Sequence, residues 1–61
     1  MYELNEQFYD EHNNCYITIY AKSRENCLCT VEEMDGDGNF YEVGDRFFTE
    51  QELSLFKRVE N

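Results

Sequence analysis

Proline is absent from these 61 residues, and glycine appears only three times. Neither kind of linker composition can therefore be found, and with no internal repeat the chain reads as one domain. Basic residues are scarce as well: five Lys and Arg stand against fourteen Asp and Glu, for a net charge of −9. A surface of that sign repels nucleic acid and anionic membranes and favours basic partners. No apolar run approaches the ~18 residues of a membrane span. The opening MYELNEQFYDEH lacks the basic and apolar regions of a secretion signal. The expectation is a cytoplasmic protein (host cytoplasm if viral) that binds neither nucleic acid nor membrane directly. Cysteine occurs three times, at Cys15, Cys27 and Cys29. That odd count argues against a disulfide framework and agrees with a reducing compartment.

What the chain does have is aromatic side chains, five Phe and five Tyr, enough to argue for a folded domain despite the charge. A domain of this size buries only ~60% of its unfolded surface. Dimerisation or a bound partner would add stability, because either binds only the folded state. Cys15 to Ala21 alternates, with Cys15, Ile17, Ile19 and Ala21 on one side and Tyr16, Thr18 and Tyr20 on the other, which is a strand pattern. Cys27 to Met34 repeats it. Phe40 to Phe47 is a weaker third strand, with Tyr41, Val43 and Phe47 on one face. Between the last two lies DGDG. Read as a three-residue loop with Gly38 left-handed, it pairs Val31 with Val43, Glu32 with Glu42 and Cys27 with Phe47. Ser23-Arg24-Glu25-Asn26 reads the same way, with Asn26 at the left-handed site and Ile19 beside Val31. Thr49-Glu50-Gln51-Glu52 is a capping box, and Phe48 with Leu53 forms a hydrophobic staple. The spacing of Leu53, Phe56 and Val59 predicts a helix over residues 50 to 59, with Lys57 and Arg58 at its C-terminal end. The expected fold is α+β, a three-stranded antiparallel meander with a C-terminal helix on one face. The N-terminal segment reads as a short helix or an edge strand.

Three kinds of site are weighed and set aside. Asp35, Asp37 and Asn39 open like a calcium loop, but Phe40 stands where the loop needs glycine and Arg46 where it needs a bidentate Glu. His12, Cys15, Cys27 and Cys29 supply zinc-ligand types. Cys27 and Cys29, however, lie on one strand face, ~6.8 Å apart at the backbone, where zinc prefers a knuckle turn. Free cysteines also pack as small hydrophobes. Catalysis lacks a motif: there is one His with no identifiable partner, no phosphate-binding glycine loop and no nucleophile signature. The expectation is a protein without enzyme activity, metal or cofactor.

The acids are segregated. From Glu25 through Asp45 there are seven acids and no Lys or Arg. Glu32 across from Glu42 sets like charges face to face, at a cost in stability. Beside that pair, Tyr16, Met34 and Phe40 fall in one row away from the helix. Apolar anchors among steering charges suit a protein-binding surface. The same residues could instead pack under the N-terminal segment or in a homodimer. A protein whose own ligand is a phosphate backbone would accept such an array, which is the logic of DNA mimicry.

On an acidic DG turn (Asp35 to Gly38), a strand beginning Phe40-Tyr41-Glu42 and a short helix after Thr49, the chain resembles the small acidic bacteriophage inhibitors of uracil-DNA glycosylase. The similarity covers about residues 28 to 56. It implies a sheet-plus-helix protein, often dimeric, that occupies the enzyme's DNA cleft and sequesters the apolar residue the enzyme inserts into the minor groove. Leu53 and Ser54 stand where that family has an aromatic residue and an acid. The partner-binding residues expected are Tyr16, Glu32, Met34, Asp35, Asp37, Phe40, Glu42 and Leu53. The partner expected is a basic nucleic-acid-binding protein. Other phage proteins of similar size and acidity, anti-CRISPR proteins and RNA polymerase modulators, fit the same features, and so does a small adaptor or dimerisation module.

Overall fold

Alternation in the middle of the chain becomes three consecutive antiparallel strands, and two further strands join them. The computed structural model describes residues 2–59. Its elements are β1 (Gln7–Asp10), β2 (Cys15–Ser23), β3 (Asn26–Met34), β4 (Phe40–Thr49), α1 (Glu50–Leu53) and β5 (Lys57–Val59). They form one five-stranded antiparallel sheet in the order β4-β3-β2-β1-β5. This corrects the three-stranded meander. The N-terminal segment is neither a helix nor an edge: β1 lies inside the sheet, with Phe8 opposite Ile17 on one side and Arg58 on the other. Four residues are too few for their own periodicity to declare a strand. Their partners decide it, since Phe8 is buried among apolar neighbours from β2 and β3.

The helix starts as expected and stops early. Thr49 Oγ1 accepts from the Glu52 amide at 3.0 Å, and Glu52 Oε1 accepts from the Thr49 amide at 2.9 Å, so the capping box is complete. Leu53 and Phe48 both sit in the core, as a staple requires. Past Leu53, however, the amides of Leu55 and Phe56 donate three residues back, at 3.1 Å each, and the chain tightens into a turn. Lys57–Val59 then extends as β5 instead of completing a helix to residue 59. A ten-residue helix has little stability of its own. The alternative satisfies the free edge of β1 and brings Lys57 within 2.6 Å of Glu11 and Arg58 within 3.3 Å of Glu6.

Register departs from expectation by one residue, and the cause is local. The DGDG loop has the expected form: the Gly38 amide donates to the Asp35 carbonyl at 3.2 Å, the Asp35 amide to the Asn39 carbonyl at 2.8 Å, and Gly38 has φ +87°. Glu32 accordingly pairs with Glu42. The next pair is Val31 with Gly44, not Val43, because β4 holds one extra residue in a bulge. Gly44 adopts φ +147°, which suits glycine and marks the bulge. From there on Cys27 faces Phe48, not Phe47, and Phe47 turns to the face opposite the one expected. The β2–β3 turn is also tighter than expected. Arg24 and Glu25 form a two-residue loop, Arg24 (φ +53°) takes the left-handed place assigned to Asn26, and a second irregularity at Tyr20 sets Ile17, not Ile19, beside Val31.

These irregularities keep the apolar residues on one side. Phe8, Cys15, Ile17, Ile19, Cys27, Cys29, Val31 and Phe48 share the inner face, closed by Leu53 with Tyr2 and Phe56 alongside. Tyr2 meets Phe8 edge-on at 5.1 Å, and Phe56 meets Phe48 at 5.7 Å. This roof covers only part of the sheet, and the described residues span 37 × 21 × 19 Å. If β1 is structural, Phe8→Ala removes about 3–5 kcal/mol, close to the whole stability of so small a core. Urea titration followed by circular dichroism should find this variant largely unfolded, with Tyr9→Ala near the parent midpoint.

Candidate protein-interaction face

The roof occupies the inner face, so the outer face of the sheet is left to solvent, and strand pairing lines its side chains into rows. Tyr9, Tyr16, Glu32 and Glu42 are successive cross-strand partners over four strands. Met34 and Phe40 form the row beside them. The rings join within and between rows: Tyr9 meets Tyr16 at 5.0 Å within the first, and Tyr16 meets Phe40 of the second edge-on at 4.7 Å. Farther along β4 come Asp45, opposite Thr30, and Phe47, opposite Leu28. The Tyr20 hydroxyl donates to Asp45 Oδ2 at 2.9 Å, a bond that holds the Tyr20 hydroxyl above its ordinary pKa.

Of the eight residues expected to meet a partner, Tyr16, Glu32, Met34, Phe40 and Glu42 come together on this outer face. Asp35 and Asp37 lie at the tip of the β3–β4 hairpin. Asp35 is occupied there, since its Oδ1 accepts from the amides of Asp37 at 2.8 Å and Asn39 at 2.9 Å, closing the loop from within. Its first role is to hold the turn, and Asp37 is the acid left facing solvent. Leu53 does not belong to the face: it is 0% exposed in the core on the other side of the sheet. The helix position tied to a partner by resemblance is a packing position in this fold.

Sequence reasoning missed Tyr9, Asp45 and Phe47. Tyr9 was hidden because the β1 strand was not assigned. Asp45 and Phe47 lie beyond the bulge, and the available signal was Gly44 inside a strand pattern.

The inner face carries a second feature, an open cleft of about 770 Å³ where the roof ends. Val31 and Val43 line it with Leu55, and Asp10, Glu33 and Arg46 stand around it. The Arg46 guanidinium also lies 5.2 Å from the centre of the Phe48 ring. Asp10 is nearly buried, its carboxylate accepting from the amides of His12 and Asn13 and from the Asn13 side chain. Among the described residues no group of three or more His, Cys, Asp or Glu is arranged to hold a metal ion. His12 is exposed in the β1–β2 turn, while the three cysteines are buried and unbridged. Burial pushes all three thiols up, Cys29 to about 11, and Asp10 and Glu33 add to the rise at Cys15.

Compared with protein families, with curated proteins and with solved structures, the chain matches none.

Two measurements check these placements. Asp35→Ala should cost about 1 kcal/mol by removing the acceptor that closes the loop. Asp35→Asn retains an acceptor oxygen and should cost less, a contrast readable from thermal midpoints. Raised thiols are poor nucleophiles. Iodoacetamide at pH 8 should leave Cys15, Cys27 and Cys29 unmodified in the folded protein and alkylate all three in urea.

Proposed function

We propose that the chain is an acidic, DNA-mimicking inhibitor that occupies the nucleic-acid groove of a basic enzyme, with uracil-DNA glycosylase the most specific candidate. The observation that carries this reading is Glu32 directly opposite Glu42, in one row with the aromatic pair Tyr9 and Tyr16. Two facing carboxylates destabilise a sheet, so a fold that retains them beside the half-buried rings of Tyr9 and Tyr16 and the exposed ring of Phe40 fits one whose partner supplies the missing positive charge. Such a partner exists wherever a protein has a groove lined with Lys and Arg for phosphates. The carboxylates would take the phosphate places, and Tyr16, Met34 and Phe40 would supply apolar anchors beside them. Under the glycosylase reading, the open inner cleft by Val31, Val43 and Leu55 is the place on this chain that could shelter the enzyme's apolar wedge.

The test is inhibition of uracil excision by a purified bacterial glycosylase. DNA should compete with the inhibitor, and added salt should weaken it, as expected of exposed charge pairs. Reversing Glu32, Asp37 and Glu42 together to Lys should raise the inhibitory concentration at least about a hundredfold. Asp35 is left intact because its loss would disturb the turn. Inhibition unchanged by the triple reversal would sink the proposal. A tight dimer burying this face, with no affinity for basic proteins, would favour the adaptor reading.

A further inference from the structure

The sheet has two edges, and they are treated differently. β5 is three residues long and carries Lys57 and Arg58, features that discourage another strand from adding. β4 is ten residues long, with neither proline nor lysine. Its apolar side chains are open to solvent on both faces: Phe47 is 61% exposed, Tyr41 48%, Val43 46% and Phe40 40%. Among the described residues no element covers the far side of β4 in the strand order. Asp35 and Asn39 form a hydrogen-bonded pair, so alternation along the ladder turns the amides and carbonyls of Phe40 and Glu42 outward.

The bulge gives this edge a chemical pattern. Because Val43 is extra, Phe40, Glu42, Asp45 and Phe47 all project from the outer face, two acids bracketed by two phenylalanines. Glu32 stands directly behind Glu42 and deepens the negative charge. On the inner side the same edge presents Tyr41, Val43 and, beyond the bulge, Arg46.

We propose that the free edge of β4 is a docking site for an extended, Lys- or Arg-bearing segment of a partner protein, which adds to the sheet as a sixth strand. Main-chain hydrogen bonds hold such a strand, and alternate side chains select it. Its outer-face residues opposite Glu42 and Asp45 are basic, and its inner-face residues opposite Tyr41 and Val43 are apolar. A second copy of the chain fits poorly. Antiparallel pairing that kept Phe40 against Phe47 would set Glu42 against the second copy's Asp45, like charge against like. The partner's charge rests on the preceding reading of the acidic face, whereas the backbone pairing does not.

The probe is a peptide of alternating valine and lysine, matched to the ten residues of β4. Two analogues are N-methylated, one on every valine and the other on every lysine, so that each loses the donors of one edge while its charge is kept. Binding is followed by calorimetry and by amide exchange of Phe40 and Glu42. The expected result is that one analogue binds at least about tenfold more weakly than the other, and that the parent peptide slows exchange at Phe40 and Glu42. Equal binding of both analogues would overturn strand addition and leave the charge reading standing. Equal binding of a valine–glutamate peptide would overturn the basic partner and leave strand addition standing. A peptide-free dimer already protecting the β4 amides would overturn both the vacancy of the edge and the choice of partner.

Discussion

One extra residue at Val43–Gly44 governs how this molecule presents itself. A strand alternates faces with period two, so a single insertion exchanges every side chain beyond it. Without the bulge, Phe47 would point inward against Cys27 and Phe48 outward. The helix that begins at Glu50 would then leave the sheet from the wrong side, and Leu53 could not reach the core it closes. With it, Phe48 anchors the roof, and Asp45 and Phe47 join Phe40 and Glu42 on the open face. Core and surface are specified by the same local event. Gly44, at φ +147°, is the residue that makes it cheap.

What could be read from the sequence follows from the range of the interactions involved. The DGDG loop, the capping box, the pairing of Glu32 with Glu42 and the inward side of Ile17, Ile19, Cys27, Cys29 and Val31 depend on residues close in the chain, and all are found as read. The elements misread are those decided by distant partners. Gln7–Asp10 is a strand because β2 and β5 flank it, and Lys57–Val59 leaves the helical pattern because β1 offers a free edge and two carboxylates. Leu53 was assigned to a partner by resemblance, yet the staple with Phe48 already placed it in the core. Asp35 suits the first position of the turn and is found there, its carboxylate drawn to the Asp37 and Asn39 amides.

The roof also explains where the charge is tolerated. Glu50 receives the Tyr2 amide at 3.2 Å and lies 3.9 Å from the Lys22 ammonium, whose other contact is the Tyr2 carbonyl. Glu6 and Glu11 meet Arg58 and Lys57. Lys22, Arg58 and Arg46 therefore serve the roof, with Arg58 over Tyr2 and Arg46 over Phe48, while Lys57 lies on the outer side opposite Tyr9 and meets Glu11. The outer face of the β3–β4 hairpin retains its acids, while the hairpin's one cation, Arg46, lies on the inner face opposite Cys29, and the asymmetry of the sequence becomes an asymmetry of the molecule.

Strand order has a further consequence, for the sequence of events in folding. The β2–β3 and β3–β4 pairs close through loops of two and three residues, whereas Gln7 must find Val59 across almost the whole chain. Closure entropy grows with the length enclosed. The two hairpins can therefore assemble first and offer β2 as a template for β1, and β5 locks on last. The same ordering runs backwards in local opening. β5, three residues long and paired on one side only, is the first strand to yield, while Phe8 keeps β1 anchored in the core.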